Sequence, residues 1–161
     1  KRIDSGARSW DSDQACFNKM ISLSDNACAE SFLNAIGVST LTSEANAIGL
    51  KNSTFMKGGG PYTTANDQAL LLGMIATGQN FSSANQQRLL EAMKKNVYRK
   101  GIPAGASGTV ADKVGFMNGL LHDSAIVYGS HGTYVLSIMT DGASWEAIAD
   151  LAKQLDALRA Q

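Results

Sequence analysis

No stretch of this chain is long and apolar enough to serve as a membrane span or a signal-peptide core. Nor does it carry charge of one sign: 14 Lys and Arg balance 14 Asp and Glu, which excludes broad electrostatic binding to nucleic acid or an anionic membrane. It has only two cysteines and two histidines, and their spacing excludes a zinc framework and suggests no metal or organic cofactor. Internal repeats and low-complexity tracts are absent too. What remains is 161 residues, 44% hydrophobic and 17% charged, which suits one compact globular domain. The chain begins at Lys1 with no initiator Met, and we expect it to be a segment of something longer.

Residues 1–9 are polar and unpatterned and are expected to be loose. Apolar spacing predicts a helix over 11–23, with Asp11, Ser12 and Asp13 as cap candidates. It predicts a second over 26–36 closed by Gly37, and a third over 40–48 closed by Gly49. Residues 49–62, with three consecutive glycines and a proline, read as loop and contain no Asp or Glu. Thr64 to Asp67 has capping-box character and opens a helix to Gly78; Ser82 or Ser83 caps another that runs to about Asn96. Residues 98–108 read as loop. From Thr109 the period becomes that of strands, over 109–117, 123–128 and 133–140, linked at Asn118-Gly119 and at 130–132. Ser144 caps a closing helix through Leu158 whose apolar stripe should pack on the sheet. The expected class is α+β: a mainly helical part, 1–108, then an antiparallel sheet and a C-terminal helix, 109–161, in one domain.

Two stretches carry chemistry. Ser24-Asp25-Asn26 sits between two apolar helical patterns, Phe17, Met20, Ile21 and Leu23 before it, Ala27, Cys28, Phe32 and Ala35 after it. Taken alone the triplet is as well explained by a helix N-cap. The second stretch is Asp112-Lys113-Val114-Gly115, at the start of the strands. Serine-type penicillin-recognising enzymes combine a Ser-x-x-Lys, a Ser-Asp-Asn and a Lys-Thr-Gly element, and two of the three have counterparts here, in order. Cys16 and Cys28 flank the triplet twelve residues apart; either a disulfide clamps it, contributing about 3 kcal/mol by chain entropy, or both are buried free thiols.

MISLSDNACAESFLNAIG, IGLKNSTF, YTTANDQALLLGMI, YRKGIPAG, VADKVGF, HDSAIVY and TYVLSIMTDG together resemble the later two-thirds of class A β-lactamases, and in outline the D-Ala-D-Ala carboxypeptidases. The resemblance implies a β-lactamase- or transpeptidase-like fold lacking its N-terminal strands, and a serine hydrolase acting through an acyl-enzyme on β-lactams or peptidoglycan stem peptides. It implies that Ser24 relays a proton to the departing nitrogen and that Lys113 supplies positive charge beside it. Asn26 would hydrogen-bond the substrate's amide, Gly115 would let the strand approach substrate, and the Phe116 N–H would be an oxyanion-hole donor. Asp112 and Arg99 would form a structural ion pair, Asp25 an orienting group, and His122 a structural residue. Against these stands the plainer possibility that Lys113 is an edge-strand lysine that discourages aggregation.

Three departures limit the implication. None of Ser5, Ser9, Ser12 or Ser22 has a Lys three residues later, so the Ser-x-x-Lys nucleophile is absent and this chain alone should be inactive. Val114 stands where Thr or Ser is usual, losing a hydrogen bond to a substrate carboxylate worth about 1 to 3 kcal/mol. The 49–62 segment has no Glu-x-x-Leu-Asn, on whose glutamate class A enzymes depend for deacylation. Two functions follow as expectations: the C-terminal part of an exported penicillin-recognising hydrolase, extracellular, periplasmic or cell-surface, or a non-catalytic module binding cell-wall peptide or protein. The uncovered edge of the last strand further implies a homodimer or association with the missing N-terminal part.

Overall fold

The computed structural model describes residues 2–56 and 60–159, with the backbone alone of Met56. Helices α1 (Trp10–Ser22), α2 (Asn26–Ile36) and α3 (Val38–Ala47) are followed by a small hairpin, β1 (Thr54–Met56) and β2 (Gly60–Tyr62). Then come α4 (Ala65–Thr77), α5 (Ser83–Lys94) and the single turn α6 (Ile102–Gly105). Strands β3 (Thr109–Met117), β4 (Leu120–Gly129) and β5 (Gly132–Asp141) form an antiparallel meander in the order β3-β4-β5, closed by α7 (Trp145–Leu158).

The sequence explains the ends of most elements. Thr64, Ser82 and Ser144 cap α4, α5 and α7 by accepting from the N–H groups of Asp67, Asn85 and Ala147 at 3.2, 3.3 and 3.2 Å. Asn118 (φ 51°) and Gly119 (φ 86°) are both left-handed, as a two-residue hairpin turn demands. Alternation along the strands separates two cores. Val110, Ala125, Val127 and Ile138 face Ile102 and the α7 residues Ile148 and Ala152; Ala111 and Ile126 face Leu72 and Ile75 of α4 and Met93 of α5.

Several expected boundaries move, each for a local reason. Helix α1 starts at Trp10 behind Ser9, which makes no side-chain cap bond; Asp13, a cap candidate by sequence, is engaged instead by Arg8 at 2.5 and 2.7 Å. Residues 2–8, expected to be loose, form turns pinned by Arg2 to Glu44 (2.9 Å) and by Asn85 to Asp4 (2.7 Å). Gly37 (φ 92°) joins α2 directly to α3, which therefore begins earlier than expected. The 49–62 stretch contains the hairpin β1-β2, because Pro61 is tolerated in a three-residue pairing with one free side; Gly58 and Gly59 lie outside the described residues. Residues 98–108 hold the turn α6, with Pro103 near its start where a missing N–H costs nothing. Strand β4 begins at Leu120, three residues early, extended by the tight turn.

The two halves are packed unequally. On α1, α2 and α3 the buried residues are Asp13, Cys28 and Ala45; no large apolar side chain of these three helices is buried. An apolar cavity of about 960 Å³ opens between them, the hairpin and α5.

Candidate functional site

Ser24 occupies the three-residue joint between α1 and α2 with φ 55°, a left-handed conformation costly for a residue with a Cβ. Its neighbours hold it there. Leu23 and Asp25 both donate their N–H to the Lys19 carbonyl, at 3.0 and 3.2 Å, and the Asp25 carboxylate accepts from the Cys28 N–H at 2.8 Å as the N-cap of α2. Ser22 donates its hydroxyl to the Ala92 carbonyl (2.7 Å) and receives the Val97 N–H on its own carbonyl (3.0 Å). Cys16 and Cys28 are joined in a disulfide with 5.2 Å between Cα atoms, tying α1 to α2 behind the joint.

From the sheet, Lys113 reaches this joint: its ammonium donates to the Ser24 hydroxyl, across 89 residues of chain, and to the Val114 carbonyl at 3.0 Å. Burial pushes the Lys113 pKa down, opposed by the nearby carboxylates of Asp112 and Asp123. Beside it on β4 the Ser124 hydroxyl pairs with that of Ser137 at 2.8 Å. Asn26, the first residue of α2, is exposed.

Gly115 follows on β3, paired with His122. Among the described residues a Cβ there meets only His122 atoms at 3.9 Å, and none of them demands glycine. His122 accepts the Thr140 N–H on Nδ1 at 3.2 Å. Phe116 is 48% exposed, its ring 5.1 Å from Tyr98 and 6.4 Å from Trp145. Val114 is buried opposite Asp123.

Beneath Lys113 lies a buried acidic layer. Asp112 receives Arg99 on one oxygen and the Asn96 amide on the other, the latter at 2.5 Å, while Arg99 also donates to the Val110 carbonyl at 3.1 Å. Burial pushes Asp112 up to about 6 although Arg99 and Asn96 pull the other way. Asp123, fully buried, accepts the Ile102 N–H at 2.8 Å on one oxygen, and the other has no hydrogen-bond partner among the described residues. Burial first, and the Asp112 charge second, push Asp123 up to about 7. Gly101 makes room for it, since a Cβ there falls 2.4 Å from the Asp123 carboxylate.

The structure thus brings Ser24, Asp25 and Lys113 together and pairs Asp112 with Arg99; Gly115 and Phe116 continue the strand that carries Lys113. Asn96 and Asp67 read in the sequence only as a helix end and part of a capping box, and their buried bonding roles are not legible there. Asp67, fully buried at the start of α4, accepts from the Asn52 N–H and the Ser53 hydroxyl, both at 2.8 Å, and anchors the segment leading into the hairpin. An acidic residue three places after a cap Thr reads as half of a capping box, which hid this role. Asp123 did carry a signal: it is a carboxylate on the strand face otherwise occupied by Ala125 and Val127.

Residues 12–158 match the family model described as the Beta-lactamase enzyme family. The chain belongs to that family. Among solved structures it is similar to PBP-A, 23% identical with a TM-score of 0.80, covering 88% of this chain and 58% of that one. It is similar to a β-lactamase from Sphaerobacter thermophilus (20% identity, TM-score 0.82, 91% and 62% covered) and to one from Streptosporangium roseum (24%, 0.80, 90% and 64%). At these identities the structures establish the fold. The chain spans about 58 to 64% of their length. Comparison with curated protein sequences gives no match. As a β-lactamase-family chain it is α+β with a three-stranded antiparallel sheet, as its sequence pattern implies. Among the described residues no helix is long and apolar enough to cross a membrane, and no three His, Cys, Asp or Glu side chains are grouped to hold a metal ion.

Proposed function

We propose that this chain is the penicillin- or stem-peptide-recognising part of a serine acyl-transfer site whose nucleophile is supplied from outside these 161 residues. The observation that carries the proposal is the Lys113–Ser24 contact, which couples the sheet to the hydroxyl of a residue with left-handed backbone at a helix joint. Acyl transfer requires a proton for the leaving nitrogen as its bond to the carbonyl carbon breaks. In this reading Ser24 Oγ, hydrogen-bonded to a lysine ammonium, delivers that proton and is reprotonated through its neighbours. Lys113 also supplies the positive charge that a substrate carboxylate seeks, Asn26 at the mouth of α2 offers an amide to the substrate's own amide, and the Phe116 N–H serves as an oxyanion donor with Gly115 giving access. Asp112, Arg99 and Asp25 position these groups without touching substrate.

Persistent acylation, as in a penicillin-binding protein, is favoured over rapid turnover. Residues 49–62 carry no carboxylate, and Asp67, the acid next in sequence, is buried and already bonded to Asn52 and Ser53. A variant of the similar PBP-A was solved as an acyl-enzyme complex with penicillin G. Function at the cell wall, outside the cytoplasm, follows from this proposal.

The test is labelling with fluorescent penicillin of this chain and of a protein joining it to the remaining part of the fold, followed by intact mass over time. A lasting adduct on the longer protein alone supports the proposal. Fast release of hydrolysed product makes it an efficient β-lactamase and overturns the argument from the 49–62 segment. If neither is labelled, the family fold serves here as a non-catalytic binding module.

A further inference from the structure

At the other end of the strands from Lys113, the turn between β4 and β5, Ser107 and the last turn of α7 enclose a second cavity of about 110 Å³. Gly108 lets the chain press against β4 there, since a Cβ at that position falls 2.3 Å from the Tyr128 carbonyl. Two opposite charges line the cavity, Asp156 and Arg159, three residues apart at the end of α7. Oppositely charged side chains at this spacing are neighbours that ordinarily pair. Here they are held apart. The Asp156 carboxylate accepts the Ser107 N–H at 2.9 Å and the Ser107 hydroxyl at 2.5 Å on one oxygen, and the Tyr134 hydroxyl at 2.6 Å on the other. The Arg159 guanidinium lies 4.5 Å over the Tyr134 ring and makes no ion pair or side-chain hydrogen bond among the described residues.

We propose that this cavity binds a small α-amino acid as its zwitterion, with the ligand carboxylate on the Arg159 guanidinium and the ligand ammonium on Asp156. Charge complementarity selects that ligand, because the wall carries one positive and one negative charge that do not neutralise each other directly. The planar fork of guanidinium donors matches a carboxylate, and stacking on Tyr134 leaves those donors open. An ionised carboxylate offers about four acceptor positions, so Asp156 with its three donors keeps one for an ammonium. The C-terminal end of α7 adds partial negative charge beside it. A simple anion is repelled by Asp156 and the helix end, and a simple cation by Arg159. A metal ion finds no group of three His, Cys, Asp or Glu side chains among the described residues. Gly129, Gly132 and Ala157 are among the walls, so the space suits glycine, alanine or serine and not a long side chain. The turn residue His131 contributes a further polar group to the wall. This proposal stands whether or not Ser24 and Lys113 take part in acyl transfer.

The experiment titrates the intact, nitrogen-15-labelled chain with glycine, D-alanine and L-alanine at constant pH and ionic strength, following amide shifts by NMR. Saturable shifts are expected at Ser107, His131, Gly132 and Arg159, with a Kd at or below about 1 mM and a Tm that rises with ligand concentration. Acetate and ethylammonium, each carrying half of the zwitterion, should bind more weakly than glycine by more than about tenfold. A preference for D-alanine assigns the ligand to cell-wall peptide, and a preference for L-alanine assigns it to the general amino-acid pool; either supports the site. Arg159→Gln, at an exposed position, should leave the Tm of the free chain within a few degrees and weaken glycine by more than about tenfold. Asp156→Asn keeps an oxygen for Ser107 and Tyr134 and should weaken glycine likewise; should it unfold, Arg159→Gln and the two half-ligands decide the matter. Absence of saturable shifts overturns the proposal, as does acetate matching glycine or Arg159→Gln binding as the parent does.

Discussion

Two residues hold unfavourable states that the fold maintains, and both lie within reach of Lys113. Ser24 keeps φ at 55° while its hydroxyl accepts from the lysine, so backbone and side chain pull stability in opposite directions. Ser24→Gly removes the strain along with the hydrogen bond; Ser24→Ala removes the bond and keeps the strain. Alanine should therefore be the less stable of the two by about 1 kcal/mol, measured by urea unfolding. Asp123 is raised to about 7 and Asp112 to about 6, so the folded chain binds protons that the unfolded chain has released. Their contribution is full below the ordinary carboxylate pKa, near 4, and is lost as pH rises to about 7. Stability should fall between about pH 4 and 7, and Asp123→Asn should flatten that slope, recovering at least about 1 kcal/mol at pH 8 relative to the parent. A slope unchanged in the variant would remove Asp123 as its source.

At the level of elements, the covalent clamp and the close approach of α6 to β4 are the points of least tolerance. Replacing Cys16 and Cys28 by serine frees a twelve-residue separation and should cost about 3 kcal/mol in thermal unfolding, with reductant reproducing the loss in the unmodified chain. Gly101→Ala drives a Cβ to 2.4 Å from the Asp123 carboxylate, and overpacking of this kind costs about 1 to 3 kcal/mol or more. Element types were legible in the sequence wherever a period was long or a cap was present: the strands by alternation, α4, α5 and α7 by Thr64, Ser82 and Ser144. The β1-β2 hairpin was not, because three paired residues on each side are too few to register beside glycines and a proline. The same limit applies to the site. The triplet at Ser24 and the lysine at 113 carried recognisable signatures, whereas Asn96 and Asp67 act through burial, which no local pattern encodes.

For the whole molecule, β5 pairs with β4 alone among the described residues, leaving its other edge open. Light scattering after size exclusion should give about twice the chain mass, through β5 edges that lie on the sheet, with a clean monomer arguing against it. The contact of Lys113 with Ser24 has a temporal meaning as well. The meander pairs neighbours in sequence and closes small loops, but a contact spanning 89 residues must wait for both halves to be in place. The sheet's amides should thus gain protection from hydrogen exchange early in refolding and the joint at Ser24 late. Any protease or chaperone that meets the full-length chain during refolding meets a formed sheet and an unformed site.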